Sequence, residues 1–265
     1  MPTAERFPAS AKAAQPAYDT VVDAELDVDN GSFDAAAFSA ATLSNWRKLA
    51  AVIDHTLLKP EATRTQVENL CDEAVRYKFA CAMVNPVWTA TAAAVLAGTG
   101  VPVGVVIGFP LGASLASTLR QEAQALAKLG ARELDMVLSI GQLKSGEYKA
   151  VERSIRGAAE VAHHHGAILK VILETCLLSV EEKLRASEIA IAAGTDFLKT
   201  STGFSTGGAT AADVALLRGV AGSRCGVKAS GGIRTLADAK TMLEAGANRI
   251  GASASVAIVR ELGAE

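Results

Sequence analysis

An α/β chain closing into a TIM (β/α)8 barrel behind an N-terminal extension is the fold this sequence predicts, on three observations. Eight short apolar runs recur from about Ser44 onward, their starts 29, 23, 31, 35, 27, 30 and 23 residues apart. Each interval has room for one helix and two loops, the rhythm of a parallel sheet with helices outside. No G-x-G-x-x-G follows the first run, which removes the main signature of an open doubly wound sheet. Half of the 265 residues are hydrophobic and one fifth charged. That is ample for one large core and too apolar for a disordered chain.

Residues 1–44 come first. They hold seven acidic and two basic residues, net −5, with Pro2, Pro8 and Pro16 and no sustained period. They are expected to be a flexible acidic extension, and residues 45–265 a single barrel domain. The strand candidates follow in order: 50–55 (AAVIDH), 79–84 (FACAMV), 102–108 (PVGVVIG), 133–138 (ELDMVL), 168–173 (ILKVIL), 195–199 (TDFLK), 225–229 (CGVKA) and 248–252 (NRIGA). Helix starts are expected at the capping boxes Thr65-x-x-Glu68, Thr118-x-x-Gln121 and Ser179-x-x-Glu182. Gly130, Gly166, Gly194 and Gly246 stand where helices should end.

Several function classes drop out. A formal charge of −2 argues against a nucleic-acid or membrane-surface binder. Residues 79–119 carry no charge, but Gly98, Gly100, Pro102, Gly104, Gly108, Pro110 and Gly112 interrupt them, so they read as buried core rather than a membrane helix. Cys71, Cys81, Cys176 and Cys225 lack CxxC spacing and suggest no disulfide framework. No charged-then-apolar leader opens the chain, and a cytoplasmic location is expected. His163, His164 and His165 are consecutive, about 100° apart on a helix, and cannot converge on one metal. They read as a solvated helix end, and neither a metal nor a cofactor is expected.

Strands of a parallel barrel are buried on both faces and should be apolar. Asp54, Asp135, Lys170 and Lys199 break that rule, and Lys228 stands in a fifth strand. Alternation puts Leu134 and Met136 toward the helices and Asp135 inside; likewise Val227 faces out and Lys228 in. Neighbouring strands lie about 5 Å apart. Two ammoniums at that range disfavour each other's charge, so one of Lys199 and Lys228 should have a lowered pKa. A neutral amine adds to a carbonyl and forms a Schiff base, and a nearby carboxylate such as Asp135 relays protons. The structural alternative is a plain buried ion pair of Asp135 with either lysine. Lys170 reads as a structural partner of Asp135 or Glu174.

Gly/Ser-rich segments follow the last three strands: Thr200–Gly203, Ser230-Gly231-Gly232-Ile233-Arg234 and Gly251-Ala252-Ser253. Backbone N–H groups there can approach an anion, and phosphate sites in this fold use these loops. Arg234 can add a charged contact. Tight turns are the plainer reading.

The sequence resembles the deoxyribose-phosphate aldolase family. The segments that carry the resemblance are IDHTLLKPEAT (53–63), VNPVW (84–88), VIGFPLG (106–112), ELDMVLSIGQLKSGEY (133–148), LKVILET (169–175), DFLKTSTGF (196–204), VKASGGIRT (227–235) and RIGAS (249–253). The resemblance implies a class I aldolase that cleaves 2-deoxy-D-ribose 5-phosphate to glyceraldehyde 3-phosphate and acetaldehyde. It implies that Lys199 is the Schiff-base lysine, Lys228 the neighbour that lowers its pKa, and Asp135 part of the proton relay. Asp54 would support a substrate hydroxyl or the site network. Gly203, Gly231, Gly232, Arg234, Gly251 and Ser253 match phosphate-binding positions. Phe204, Ala254 and Met83 depart from lysine, serine and cysteine found in some members. The implied partners are a small sugar phosphate and an aldehyde, with a homodimer as a possible assembly. The competing readings are a metal-independent sugar-phosphate isomerase and another lysine aldolase on the same barrel.

Overall fold

A computed structural model describes residues 33–265. Eight parallel strands, β1 (Ile53–Leu57), β2 (Cys81–Val84), β3 (Val103–Ile107), β4 (Ala131–Val137), β5 (Ile168–Ile172), β6 (Phe197–Lys199), β7 (Gly226–Ser230) and β8 (Arg249–Ala252), pair in chain order. β8 closes the barrel by pairing with β1, Asp54 opposite Gly251. Around them lie α1 (Ala35–Thr42), α2 (Trp46–Ala50), α3 (Arg64–Tyr77), α4 (Thr89–Val95), α5 (Ala116–Lys128), α6 (Ile140–Lys144), α7 (Tyr148–His164), α8 (Val180–Ala192), α9 (Ala211–Ala221), α10 (Leu236–Glu244) and α11 (Ser255–Glu261). All eight expected strands are present, their starts moved by up to three residues.

Strand alternation sorts the side chains into two layers. Leu134, Met136, Leu169, Val171 and Val227 are fully buried in the large apolar layer between sheet and helices. Each such side chain contributes about 1.5–3 kcal/mol when taken from water. The alternate residues point into the barrel, where a smaller apolar cluster of Leu58, Cys81, Met83 and Val106 fills one side with Phe109 against it.

Some local expectations are corrected. α3 starts from Thr63, not Thr65: Thr63 is extended and its hydroxyl accepts from Gln66 N while Gln66 returns a bond to its backbone. Thr118 lies inside the first turn of α5, which begins at Ala116 without a side-chain cap. The Ser179–Glu182 capping box is present as expected. Before β1, Asn45 caps the short helix α2, so the strand begins at Ile53 rather than residue 50. The expected extension 1–44 also changes at its end. Residues 35–42 are helix α1, capped by Asp34, and Phe38 and Leu43 pack against the outer apolar layer. Residues 1–32 lie outside the described residues.

The uncharged stretch 79–119 divides into β2, a short turn at Pro86–Trp88, α4, β3 and the start of α5. Among the described residues no helix is long and apolar enough to cross a membrane. His163 and His164 are exposed at the end of α7, His163 bonded to Asp196 at 2.9 Å. All four cysteines are free thiols.

Candidate active site

Inward-facing positions of β1, β4, β5, β6, β7 and β8 build one ionic network inside the barrel. Register sets it up: Asp135 lies opposite Lys170 on β5, and Lys199 opposite Lys228 on β7. Lys199 Nζ donates to Asp135 Oδ2 at 2.8 Å and Lys228 Nζ to the same oxygen at 2.7 Å. Lys170 Nζ donates to Asp135 Oδ1 at 2.8 Å and meets Glu133 at 2.5 Å. Lys228 also reaches Asp54 at 2.5 Å, and Arg249 joins Asp54 to Glu133 at 3.0 and 3.3 Å. Thus Lys199, Lys228, Asp135 and Asp54 stand together.

The network holds four bases, Lys170, Lys199, Lys228 and Arg249, and three acids, Asp54, Glu133 and Asp135. Fully ionised, it carries one positive charge too many in a medium that penalises unmatched charge. The surplus is not shared evenly. Burial opposes the Lys170 charge, but Asp135, Asp54 and Glu133 together override it and hold the amine well above the usual lysine range. Burial likewise opposes the Asp54 and Asp135 carboxylates, and the surrounding cations hold both below the usual aspartate range. Lys199 is the exception. Burial lowers it to about 8, and Lys228 and Lys170 add to the effect against the pull of Asp135. The expectation that a neighbouring cation is the main cause is therefore revised: desolvation comes first and Lys228 reinforces it.

Lys199 ends β6 at the carboxyl face of the barrel. Its side chain is 4 % exposed, against 1 % for Lys228 and 0 % for Lys170. Of the three lysines it is the most exposed.

Of the two partners expected for Lys170, Asp135 is found and Glu174 is not. Glu174 is buried in the left-handed region, φ 56°, and accepts from Thr202 N at 3.2 Å and from the Thr202 hydroxyl. It fixes the segment that follows Lys199.

The glycine-rich loops lie where expected. Gly231, φ 87°, brings its backbone against Gly208 and Gly203; a Cβ there would sit 3.0 Å from Gly208 Cα. Ser230 Oγ donates to Ser201 O at 2.7 Å and ties the β7 loop to the β6 loop. Gly232, Arg234 and Ser253 are exposed on the same rim. Gly251 lies within β8, as the strand expected over 248–252 has it, and a Cβ there would sit 3.0 Å from Lys228 Cε and from Ser230 Cβ. Its lack of a side chain leaves room for the Lys228 stem.

Arg249 was not among the residues the sequence singled out, and Glu133 was placed only on the face of Asp135. Each is a charge in an apolar strand, the signal that exposed the others, but each stands toward the amino end of its expected strand, where solvent is the ordinary reading. Ligand atoms of Asp54, Cys81 and Glu133 lie within 4.8 Å of one another. Both carboxylates already face protein cations. Burial, with Asp54 and Glu133 nearby, pushes the Cys81 thiol well above its ordinary pKa, which disfavours the thiolate a metal needs. The set does not fit a metal centre.

Fold and interior together define a (β/α)8 barrel whose centre is built of amines and carboxylates, one amine held near neutrality. Comparison with known proteins takes this further. The family profile described as DeoC/LacD family aldolase matches residues 48–260, and the chain belongs to that family. It is 54% identical over 211 residues, 80% of its length and 94% of the relative's, to a deoxyribose-phosphate aldolase of Geobacillus sp. (strain WCH70). To the one from Caldanaerobacter subterraneus subsp. tengcongensis it is 55% identical over 214 residues, covering 80% and 93%. The tetrameric deoxyribose phosphate aldolase structure from Aeropyrum pernix superposes with a TM-score of 0.80 at 38% identity, covering 86% of this chain and 96% of that one.

Proposed function

We propose that this protein is a class I aldolase that cleaves 2-deoxy-D-ribose 5-phosphate to D-glyceraldehyde 3-phosphate and acetaldehyde through a Schiff base on Lys199. The observation that carries the reading is the position of that amine. It is the most accessible of three buried lysines, and its pKa is lowered to about 8 beside a carboxylate. Curated relatives of the same name support the substrate.

The chemistry then follows from the residues. Neutral Lys199 Nζ adds to the C1 carbonyl of the open-chain sugar, and loss of water leaves an iminium. The C3 hydroxyl loses its proton as the C2–C3 bond breaks, and the bonding pair moves through C2 to the iminium. Glyceraldehyde 3-phosphate departs and an enamine remains. Protonation at C2 and hydrolysis release acetaldehyde and the free amine. Asp135, bonded to Lys199 and Lys228, is the group in this proposal that passes protons. Lys228, bonded to Asp54 and Asp135, disfavours a charged Lys199. The phosphate would rest on Gly203, Gly231 and Gly232, with Arg234 and Ser253 at the rim. Gly251 acts through Lys228.

The same reading includes action on small solutes in the cytoplasm and a homodimeric assembly, which sedimentation velocity tests. Borohydride reduction in the presence of deoxyribose 5-phosphate, followed by peptide mass spectrometry, tests the chemistry. A stable adduct on Lys199 is expected. No adduct, with turnover intact, would mean an isomerase-like reaction without a covalent step. An adduct on Lys228 or Lys170 would reassign the nucleophile.

A further inference from the structure

Beside its ionic network the interior of the barrel holds an apolar patch. Opposite β6 and β7, Leu58 just after β1, Met83 on β2 and Val106 on β3 are each nearly or fully buried, with Phe109 packed on them, and Thr56 of β1 stands opposite Met83 in register. On β2, Ala82 and Val84 belong to the outer layer, which leaves Met83 facing in. Gly104 makes space for it, since a Cβ there would lie 2.6 Å from Met83 Cε. At the mouth, Phe109 meets Phe204 edge-on at 5.2 Å and roofs the gap between the β3 loop and the segment after Lys199. The side chains of these four residues are carbon and sulfur alone, and the neighbouring Thr56 hydroxyl is spent on Asp54 O at 2.8 Å. Lys170, Lys228 and Asp135 across from this wall, and Asp54 beside it, are engaged with one another.

We infer that Leu58, Met83, Val106 and Phe109 set the preference for a substrate with no hydroxyl on the carbon next to the carbonyl. The inference rests on Lys199 as the nucleophile. With the carbonyl carbon bonded to Lys199 Nζ, the adjacent carbon lies one bond away, between the two sides of the barrel. A hydroxyl there meets either the wall, where it forfeits its hydrogen bonds, or the ion network, where it must displace a partner already in place. Apolar enclosure of this kind rejects an added hydroxyl by on the order of 100-fold. The favoured class is 2-deoxy sugar phosphates and, in the synthetic direction, aldehydes with a bare methyl group. The disfavoured class is 2-hydroxy sugar phosphates and glycolaldehyde.

Val106→Thr and Met83→Gln test this, each nearly isosteric and each adding a hydrogen-bonding group to the wall. The kcat/KM values for 2-deoxyribose 5-phosphate and ribose 5-phosphate are compared, together with the rates of borohydride trapping by acetaldehyde and glycolaldehyde. Wild type should prefer the 2-deoxy compound by on the order of 100-fold, and at least one variant should cut that preference by about tenfold. Two variants on different strands keep the test open should one fail to fold. A preference unchanged within about twofold, about 0.4 kcal/mol, in every variant that melts cooperatively and still traps acetaldehyde overturns the role of the wall. A wild type that traps neither aldehyde overturns the Lys199 reading instead.

Discussion

Lys199 and Lys228 donate to one and the same oxygen, Asp135 Oδ2, at 2.8 and 2.7 Å. Two amines on one acceptor open into one compartment, and neither can change its charge without the other feeling it. Of the two, only Lys199 ends its strand at the mouth of the barrel; Lys228 is followed on β7 by Ala229 and Ser230.

The first prediction concerns pH. With Lys199 at about 8, the attacking form is the deprotonated amine, so kcat/KM should rise with pH below 8 and level off above it. At pH 7 about one tenth of the amine is neutral. Initial rates across pH 6 to 10 check the sign; a rate that falls through this range would contradict it.

Replacing Lys228 by Met removes one of the groups that lower Lys199. Burial, the larger cause, remains, so the rise in the pH–rate profile should move to higher pH only in part, and the rate at pH 7 should fall. The measurement is the midpoint of the profile in wild type and variant, with thermal melting as the control for folding.

Gly251→Ala puts a methyl group 3.0 Å from both Lys228 Cε and Ser230 Cβ. The Lys228 ammonium should shift away from Asp54 and Asp135. We expect kcat to fall by tenfold or more, about 1.4 kcal/mol in the barrier, with cooperative melting retained. Equal activity in the variant would mean the barrel has slack at this point.

Arg249→Met takes one hydrogen bond each from Asp54 and Glu133, which keep Lys228 and Lys170 as partners. Losing hydrogen bonds to charged groups costs about 1.5–3 kcal/mol, which urea unfolding would show. The pH dependence has a definite sign. Asp54 and Asp135 are held below 3.8 in the folded chain, so their contribution is complete above that value. It is lost as pH falls through the folded values, because the unfolded chain takes up protons first.

Arg234→Ala should raise KM for deoxyribose 5-phosphate by about tenfold while leaving KM for free deoxyribose nearly unchanged, since a rim guanidinium binds the phosphate alone. Equal effects on both sugars would remove its phosphate role.

Much of this was legible in the chain because buried charges are conspicuous. The alternation in ELDMVL turned Asp135 inward, and that in CGVKA did the same for Lys228. Arg249 was harder: only closure of β8 on β1 brings it to Asp54, and closure register is a property of all eight strands. That Gly251 also leaves room for the stem of Lys228 was not legible, because nothing local shows how far that stem reaches. Helix α1 hid in an alanine-rich run whose large apolar residues are few; Asp34 at its cap was the available sign. α3 began two residues early because Thr63 and Thr65 both stand three residues before a Glu or Gln, and the fold of the preceding turn chose between them.

The uneven count of bases and acids bears on the covalent state itself. An iminium on Lys199 restores a plus sign to the nitrogen from which a proton has just left, beside the oxygen that held it. The resting ammonium has thus already shaped the cradle for the reactive cation.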